Sequence, residues 1–485
     1  MFLSTWRLSR TLAVTALISF LSACSGGGGG SSPSIPPVST VGVGSSASSG
    51  TPTSDPLQVN ARGHRGNPKP TPSAPPAPVS GLSPAPVSQA AQSSDSFVAA
   101  IGVNTHFGYC DTAYCTTFSQ VNTAITQLGV RHIRDGMGGN QDSTFYNYVN
   151  TLGGEGVHFD FIIGDFGQLT SSVIAQDQPQ IMPFLANVSQ STESVEGPNE
   201  YDLGGYSPWA SDLQAWMSML YPTINGKYPV IGPSLDSGDV ATLGNISGLL
   251  DYGNGHFYYG GHNPGSPGWG DTYPGLGTYG SIPYNVACVQ QMSGTKPVIV
   301  TETGYDDLTT DAGWVTPAVK AKYTLRDLLD LWNAGIVRIY LYEMLDEGGQ
   351  GYGLLHSSAS PKPAYTALQS LLGALTDRGA SFSTTPLSYG LSAGSTVDHL
   401  LLQKRDGSYR LVLWNEVSGW NTTTNTAVTV APQTVTLSFA KAPSAISAAT
   451  IGDTGAAATD TITSPSASLY QLPIDDHVTI ITIKP

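Results

Sequence analysis

Positive charge is scarce in this chain. Twenty lysines and arginines face 35 aspartates and glutamates, leaving a formal net charge of −15. That balance argues against nucleic acid as a partner, because phosphate binding needs clustered Lys and Arg. Cysteine is scarce as well, with four in 485 residues. Cys110, Cys115 and Cys288 are scattered without a supporting histidine pattern, which speaks against zinc. There is no phosphate-cradling P-loop, and no dinucleotide-binding glycine pattern lies between a strand and a helix.

Long hydrophobic runs are missing too. The apolar stretch from Thr11 to Leu21, behind Arg7 and Arg10, is too short to span a bilayer. It reads as an export signal, and Leu21-Ser22-Ala23-Cys24 resembles a bacterial lipobox. Residues 1–24 are then a lipoprotein signal peptide, with Cys24 the lipidation site. An ordinary cleaved signal peptide with an incidental cysteine is the alternative. The expectation is an exported chain tethered to the cell envelope, with Ser25 resembling the outer-membrane sorting choice. Residues 25–95 are rich in Gly, Ser, Pro, Thr and Ala, with almost no aromatics. Such a segment cannot bury enough apolar surface to offset its chain entropy, so it is expected to be a disordered tether. As a flexible coil it would reach roughly 45 Å. Export permits disulfides; the short spacing favours a Cys110–Cys115 bridge and leaves Cys288 as a buried thiol.

From residue 96 the texture changes to short apolar runs alternating with amphipathic stretches. Strands are expected at 97–104, 130–134, 159–164, 193–200, 228–233, 252–259, 298–300 and 336–342. Helical spacing is expected over 118–128, 145–152, 174–187, 209–221, 239–250, 318–334 and 364–375. Eight β-α units over about 280 residues match a (β/α)8 TIM barrel, whose buried parallel strands read as continuous apolar runs. An open doubly wound sheet explains eight consecutive units less well. After residue 376 helical periodicity stops. Strand-like runs at 396–402, 409–414, 427–430, 433–439 and 477–483, separated by Ser, Thr and Gly turns, suggest a small antiparallel β-sandwich over 376–485.

Two carboxylates stand where strand-prone runs break off. Glu200 ends Val195-Glu196-Gly197-Pro198-Asn199-Glu200, and Glu302 sits in Val298-Ile299-Val300-Thr301-Glu302-Thr303-Gly304. Barrel enzymes carry their chemistry at the C-terminal ends of strands. Glu200 ends the fourth strand and Glu302 the seventh. At this point residues 97–375 resemble the retaining glycoside hydrolases of clan A. The compact Gly-Pro-Asn-Glu and Thr-Glu-Thr-Gly segments are similar to those of the xylosidase and exopolysaccharide-hydrolase group, and next to those of the endoglucanase group.

The resemblance implies hydrolysis of a β-linked glycan through a covalent glycosyl-enzyme. Glu200 is then the general acid/base and Glu302 the nucleophile, with the two carboxyls about 5–5.5 Å apart. It further implies that Asn199 binds the sugar 2-hydroxyl and that Arg134 keeps the nucleophile ionised. Pairing of Arg134 with a nearby carboxylate such as Asp135 is the alternative. His256 and Tyr258 resemble a His-x-Tyr pattern whose tyrosine touches the nucleophile. Glu196 alternates with Glu200 and is expected to point into the barrel as a structural partner. Strand eight departs from the pattern: where many members carry a tryptophan, this chain has Tyr342, Glu343 and Met344. Glu343 is left open between contacting sugar hydroxyls and pairing with a barrel arginine.

Aromatics Tyr258, Tyr259, Trp269, Tyr273, Tyr279 and Tyr284 crowd the segment after strand six. They could line a glycan cleft or simply hold their own loop. The mechanism needs neither metal nor cofactor, and a monomer is expected. The competing readings are a non-catalytic glycan-binding protein on a glycosidase scaffold and a surface adhesin binding through the sandwich.

Overall fold

The computed structural model describes residues 84–137, 142–164, 167–224 and 226–485. Cys24, the signal peptide and residues 25–83 of the expected tether lie outside the described residues. Among the described residues no helix is long and apolar enough to cross a membrane.

Eight parallel strands form the barrel: β1 (Ile101–Asn104), β2 (His132–Gly136), β3 (His158–Ile162), β4 (Thr192–Glu196), β5 (Val230–Ile231), β6 (Gly253–Tyr258), β7 (Val298–Gly304) and β8 (Arg338–Leu341). Their order is β5-β4-β3-β2-β1-β8-β7-β6. Between β5 and β6 the ladder narrows to a bridge from Ile231 to Tyr252, and the Gly232 N–H donates to the Tyr252 carbonyl at 2.9 Å. The barrel is thereby closed. Eight helices follow the strands in turn: α1 (Phe118–Leu128), α2 (Ser143–Gly154), α3 (Ser171–Asn187), α4 (Trp209–Ile224), α5 (Val240–Leu243), α6 (Ile282–Ser293), α7 (Pro317–Asn333) and α8 (Pro363–Leu375).

Four elements differ from the sequence expectation, the first being the helix expected over 239–250, which is reduced to Val240–Leu243 and a 3-10 turn at Ser247–Leu249. Residues 97–100 belong to or end a short helix, Ser94–Ala99, because the Ser93 hydroxyl caps it by accepting from the Ser96 N–H. The fourth strand stops at Glu196 and not at Glu200, since Gly197-Pro198 cannot continue a ladder. Helix α6 occupies part of what read only as loop, with Ser281 capping the Tyr284 N–H and a proline in its first turn.

The sandwich is larger than expected and begins before the barrel. Val87–Gln89 pairs with Leu387–Ser392 in a five-stranded sheet, and Gln92–Ser93 pairs with Val397–Gln403 in a six-stranded one. The expected tether therefore gives way to folded chain ahead of residue 95. Strands Ala445–Ile451, Ala457–Asp460, Thr463–Ser466 and Leu469–Ile474 were not anticipated, and the expected strand at 427–430 is only the two-residue pair Thr426–Ala427.

The strand Tyr409–Asn415 is buried on both faces. Leu411 and Leu413 point into the sandwich core, while Val412 and Trp414 join the core of the barrel. A buried ion pair reinforces the junction: Arg326 of α7 donates to Glu416 at 2.6 and 2.5 Å. Asn263 and the Gly265 N–H, from the loop after β6, donate to the same carboxylate at 2.7 and 3.0 Å. Cys110 and Cys115 are disulfide-bonded, and Cys288 is a buried free thiol.

Candidate active site

The barrel mouth gathers carboxylates from opposite strands around one arginine. Arg134, in β2, is fully buried, and its five N–H groups are all used. Nε and Nη2 grip Glu196 at 2.7 Å each. Nη1 donates to Glu302 at 2.6 Å and to Asn104 Oδ1 at 3.0 Å. The second Nη2 hydrogen reaches Asn199 Oδ1 at 2.6 Å. Asp135 is not its partner; that carboxylate accepts from Thr105, the Phe107 N–H and the Gly136 N–H.

Glu302 lies inside β7 and is nearly buried. Its second oxygen accepts from the Tyr258 hydroxyl at 2.7 Å, and His256 Nδ1 is 3.5 Å away. Burial pushes its carboxyl up, but the charges of His256 and Arg134 and the hydrogen bonds from Tyr258 and Arg134 outweigh that and hold it below the ordinary glutamate range. Tyr258 is pushed the other way, by burial and then by the Glu302 charge, so it stays a donor.

Glu200 sits past β4 in left-handed backbone, with φ 43° and ψ 43°. Side chains other than glycine rarely hold that conformation, and the surroundings must impose it. Its N–H is tied to Ser234, donating to the backbone carbonyl and to the hydroxyl, both at 3.1 Å. Close packing steers the chain into this turn. A Cβ on Gly197 would meet Met217 Sδ at 2.8 Å, and one on Gly164 would meet Pro198 Cγ at 2.8 Å.

The Glu200 carboxyl shares a 2.8 Å hydrogen bond with His256 Nδ1, and His256 Nε2 lies 3.1 Å from the Thr301 hydroxyl. Burial lowers the imidazole, yet the Glu302 charge and the Glu200 contact raise it above its ordinary value. Glu200, His256 and Glu302 each offer one ligand-type atom within 4.8 Å of the others. An arginine can only donate, so Asn199 turns Oδ1 to Arg134 and its NH2 group elsewhere. The arrangement thus places an ionised carboxylate opposite a second carboxyl that can exchange a proton with an imidazole.

Among the solved structures that align with this chain are two glycoside hydrolases. A family 39 glycoside hydrolase from the gut symbiont Bacteroides cellulosilyticus WH2 aligns with a TM-score of 0.57 at 15% identity, over 81% of this chain and 82% of that one. A GH30 endoxylanase from Clostridium papyrosolvens C71 aligns with a TM-score of 0.51 at 14% identity, over 82% of this chain and 98% of that one. The chain has the fold of these glycoside hydrolases. No family model and no curated protein matches its sequence.

Several residues of the mouth escaped sequence reasoning. Asn104 carries Arg134 and donates to the Thr301 and Leu341 carbonyls at 3.0 and 3.3 Å. Asn254 donates to Glu196 at 2.9 Å and accepts from Thr301 at 2.6 Å. Ser234 fixes Glu200. Each is an ordinary polar residue in or beside an apolar run, and nothing in its local pattern marks it. Glu196 is fully buried, as a structural partner would be.

The end of strand eight is arranged differently from the expectation. β8 stops at Leu341, and the Tyr342–Glu343 peptide is cis. The Tyr342 ring lies 6.0 Å from His106 and 5.7 Å from Tyr352, which in turn contacts Tyr258 at 5.6 Å. Glu343 meets His106, not an arginine. In the loop after β6, Trp269 stacks on His262 at 4.3 Å, and Tyr284 packs against Tyr273 and Tyr279. Tyr259 is buried, donating to Asp327 at 2.9 Å. These rings largely hold one another.

Proposed function

We propose that this chain is a retaining glycoside hydrolase that cleaves a β-linked polysaccharide or oligosaccharide. The observation that carries the reading is the pairing of Glu302 with Glu200. An oxygen of each lies within 4.8 Å of the other, compatible with direct attack rather than with a water held between more widely spaced carboxyls.

In this reading Glu302, kept ionised by Arg134, Tyr258 and His256, attacks the anomeric carbon. Glu200 gives its proton to the departing glycosidic oxygen, and a glycosyl ester forms on Glu302. A water then attacks the anomeric carbon while Glu200 takes its proton, the bond to Glu302 breaks to regenerate the carboxylate, and the sugar leaves with its original anomeric configuration. His256 holds the Glu200 carboxyl in place through both half-reactions. Asn199, turned by Arg134, offers its NH2 group to the 2-hydroxyl. No metal or cofactor takes part in these steps.

The cellular reading follows the sequence alone: export, lipidation at Cys24 and a tether that holds the catalytic unit off the envelope, acting as a monomer on carbohydrate. Proton NMR of the first-formed sugar tests the mechanism. Release of the β-anomer before mutarotation supports double displacement. Release of the α-anomer from a β-linked substrate refutes it, and failure to hydrolyse any glycan while still binding one favours a non-catalytic scaffold.

A further inference from the structure

Beyond Tyr342, at the ends of β1 and β8, lies a side-chain cluster that the proposed mechanism does not use. His106 Nδ1 hydrogen-bonds Glu347 and lies 3.3 Å from Glu343 Oε2. One ligand-type atom from each of the three residues lies within 4.8 Å of the others. Glu343 is completely buried, and neither of its carboxylate oxygens has a hydrogen-bond partner. Nδ1 carries at most one hydrogen, and that hydrogen serves Glu347. Glu343 is thus a buried carboxylate facing a histidine and a second carboxylate.

Two other acids on this face, Asp307 and Asp346, share a cation. Lys362 Nζ lies 2.6 Å from Asp307 and 2.7 Å from Asp346. Among the described residues no lysine or arginine pairs with Glu343 or Glu347; their ionic neighbour is His106. A carboxylate removed from water without compensation costs several kcal/mol, on the order of the largest single-residue effects in a folded protein. A group of this kind persists either by keeping a proton, which burial favours at Glu343, or by meeting a ligand between its lone pairs and their neighbours.

We propose that His106, Glu343 and Glu347 bind a divalent cation of the zinc class. One imidazole nitrogen and two carboxylates form a donor set that suits such an ion, with three protein ligands and the remaining position left to water. Metal-bound donors about 2.0–2.2 Å from an ion sit roughly 3–3.5 Å from one another. His106 Nδ1 and Glu343 Oε2, 3.3 Å apart, already meet that spacing, and all three atoms lie within 4.8 Å of one another. The His106 ring is already fixed by stacking on Tyr109 at 4.8 Å. His106 and Glu347 are partly exposed, which leaves a path for the ion. Bound there, the cation ties the loop after β1, which carries the Cys110–Cys115 bridge, to the chain leaving β8. The assignment is independent of the proposed hydrolysis.

The test uses the full chain, stripped with a chelator and dialysed, then titrated with zinc chloride, with calcium chloride as comparison. Zinc content is read by elemental mass spectrometry and stability by thermal melting. The expected result is one zinc per chain and a Tm raised by about 3–6 °C at saturating ion. Glu343→Gln and Glu347→Gln should each weaken zinc binding by about 100-fold while still folding. Glutamine also mimics a protonated carboxyl, so it separates this assignment from a proton shared between the two glutamates. The assignment is overturned if zinc neither binds nor shifts Tm. It is equally overturned if zinc binds the two variants as tightly as the parent chain.

Discussion

Arg134 holds Glu302 with one edge of its guanidinium, at 2.6 Å, and Glu196 with the other, through two bonds of 2.7 Å. One side chain thus serves the carboxylate proposed as nucleophile and a structural one. Arg134→Lys keeps the charge but loses the fork that spans both. The expected outcome is destabilisation of about 3–5 kcal/mol, because Glu196 stays buried without its bidentate partner. Urea denaturation measures it, and a loss below 1 kcal/mol would mean that Glu196 finds another partner.

The same contact sets an acid limb. Glu302 is held below its ordinary value of 4.5, so its ionised form is favoured by folding. That contribution to stability is present above pH 4.5 and fades as pH falls through the lower folded value. Arg134→Met should move the acid limb of kcat/KM to higher pH. A limb that stays in place would separate Arg134 from the ionisation of Glu302.

Asp202 titrates in the opposite sense. Burial above all, helped by the charges of Glu200, Asp236 and Asp239, raises it to about 8 despite a hydrogen bond from the Asp236 N–H. The folded chain therefore keeps a proton that the unfolded chain releases near 3.8, and stability falls between these values as pH rises. Asp202→Asn should stabilise the chain by about 1 kcal/mol at pH 7–8 and by almost nothing at pH 4. Melting curves at the two pH values check the difference.

Removing the carboxyls tests their division of labour. Glu200→Gln should lower kcat by about 10²–10⁴-fold on substrates with poor leaving groups, and much less on activated aryl glycosides that need no proton. Glu302→Gln should lose activity on both. Equal losses for the two variants on an activated substrate would contradict the assignment.

The sandwich and barrel share Trp414, so they are expected to unfold together. Trp414→Ala should cost about 3–5 kcal/mol and lower one common transition. Separate calorimetric transitions would show the two layers to be independent.

How far such features can be read from sequence depends on where their determinants lie. Helix α1 was legible to the residue because Val121, Ile125 and Leu128 repeat at helical spacing and Gly129 ends it in left-handed backbone. The Ser94–Ala99 helix was not, because an apolar run of Phe97, Val98 and Ala99 reads equally as strand, and only the cap at Ser93 decides it. Helix α6 buries Asn285, Cys288 and Ser293 along with its apolar residues, which blurs its stripe. Strands Val87–Gln89 and Gln92–Ser93 owe their form to partners some 300 residues away, at Leu387–Gln89 and Gln92–Leu402 pairings. Glu200 stood out because Gly197-Pro198 break the strand just ahead of it, and Glu302 because it closes an apolar run just before Gly304, although β7 continues to Gly304. Asn104, Asn254 and Ser234 did not, since their roles arise only when β1, β5 and β6 meet around Arg134.

The measurement that bears most directly on the central claim is a mass spectrum of the full chain after incubation with 2-deoxy-2-fluoro glycosyl fluorides of several sugars. The fluorine slows breakdown of a glycosyl-enzyme more than it prevents formation, so the intermediate accumulates. One sugar attached per chain, mapped to Glu302, is the predicted result, and it names the sugar as well. Attachment at another residue, or hydrolysis of the parent glycan with no labelling by the matching reagent, would contradict the account.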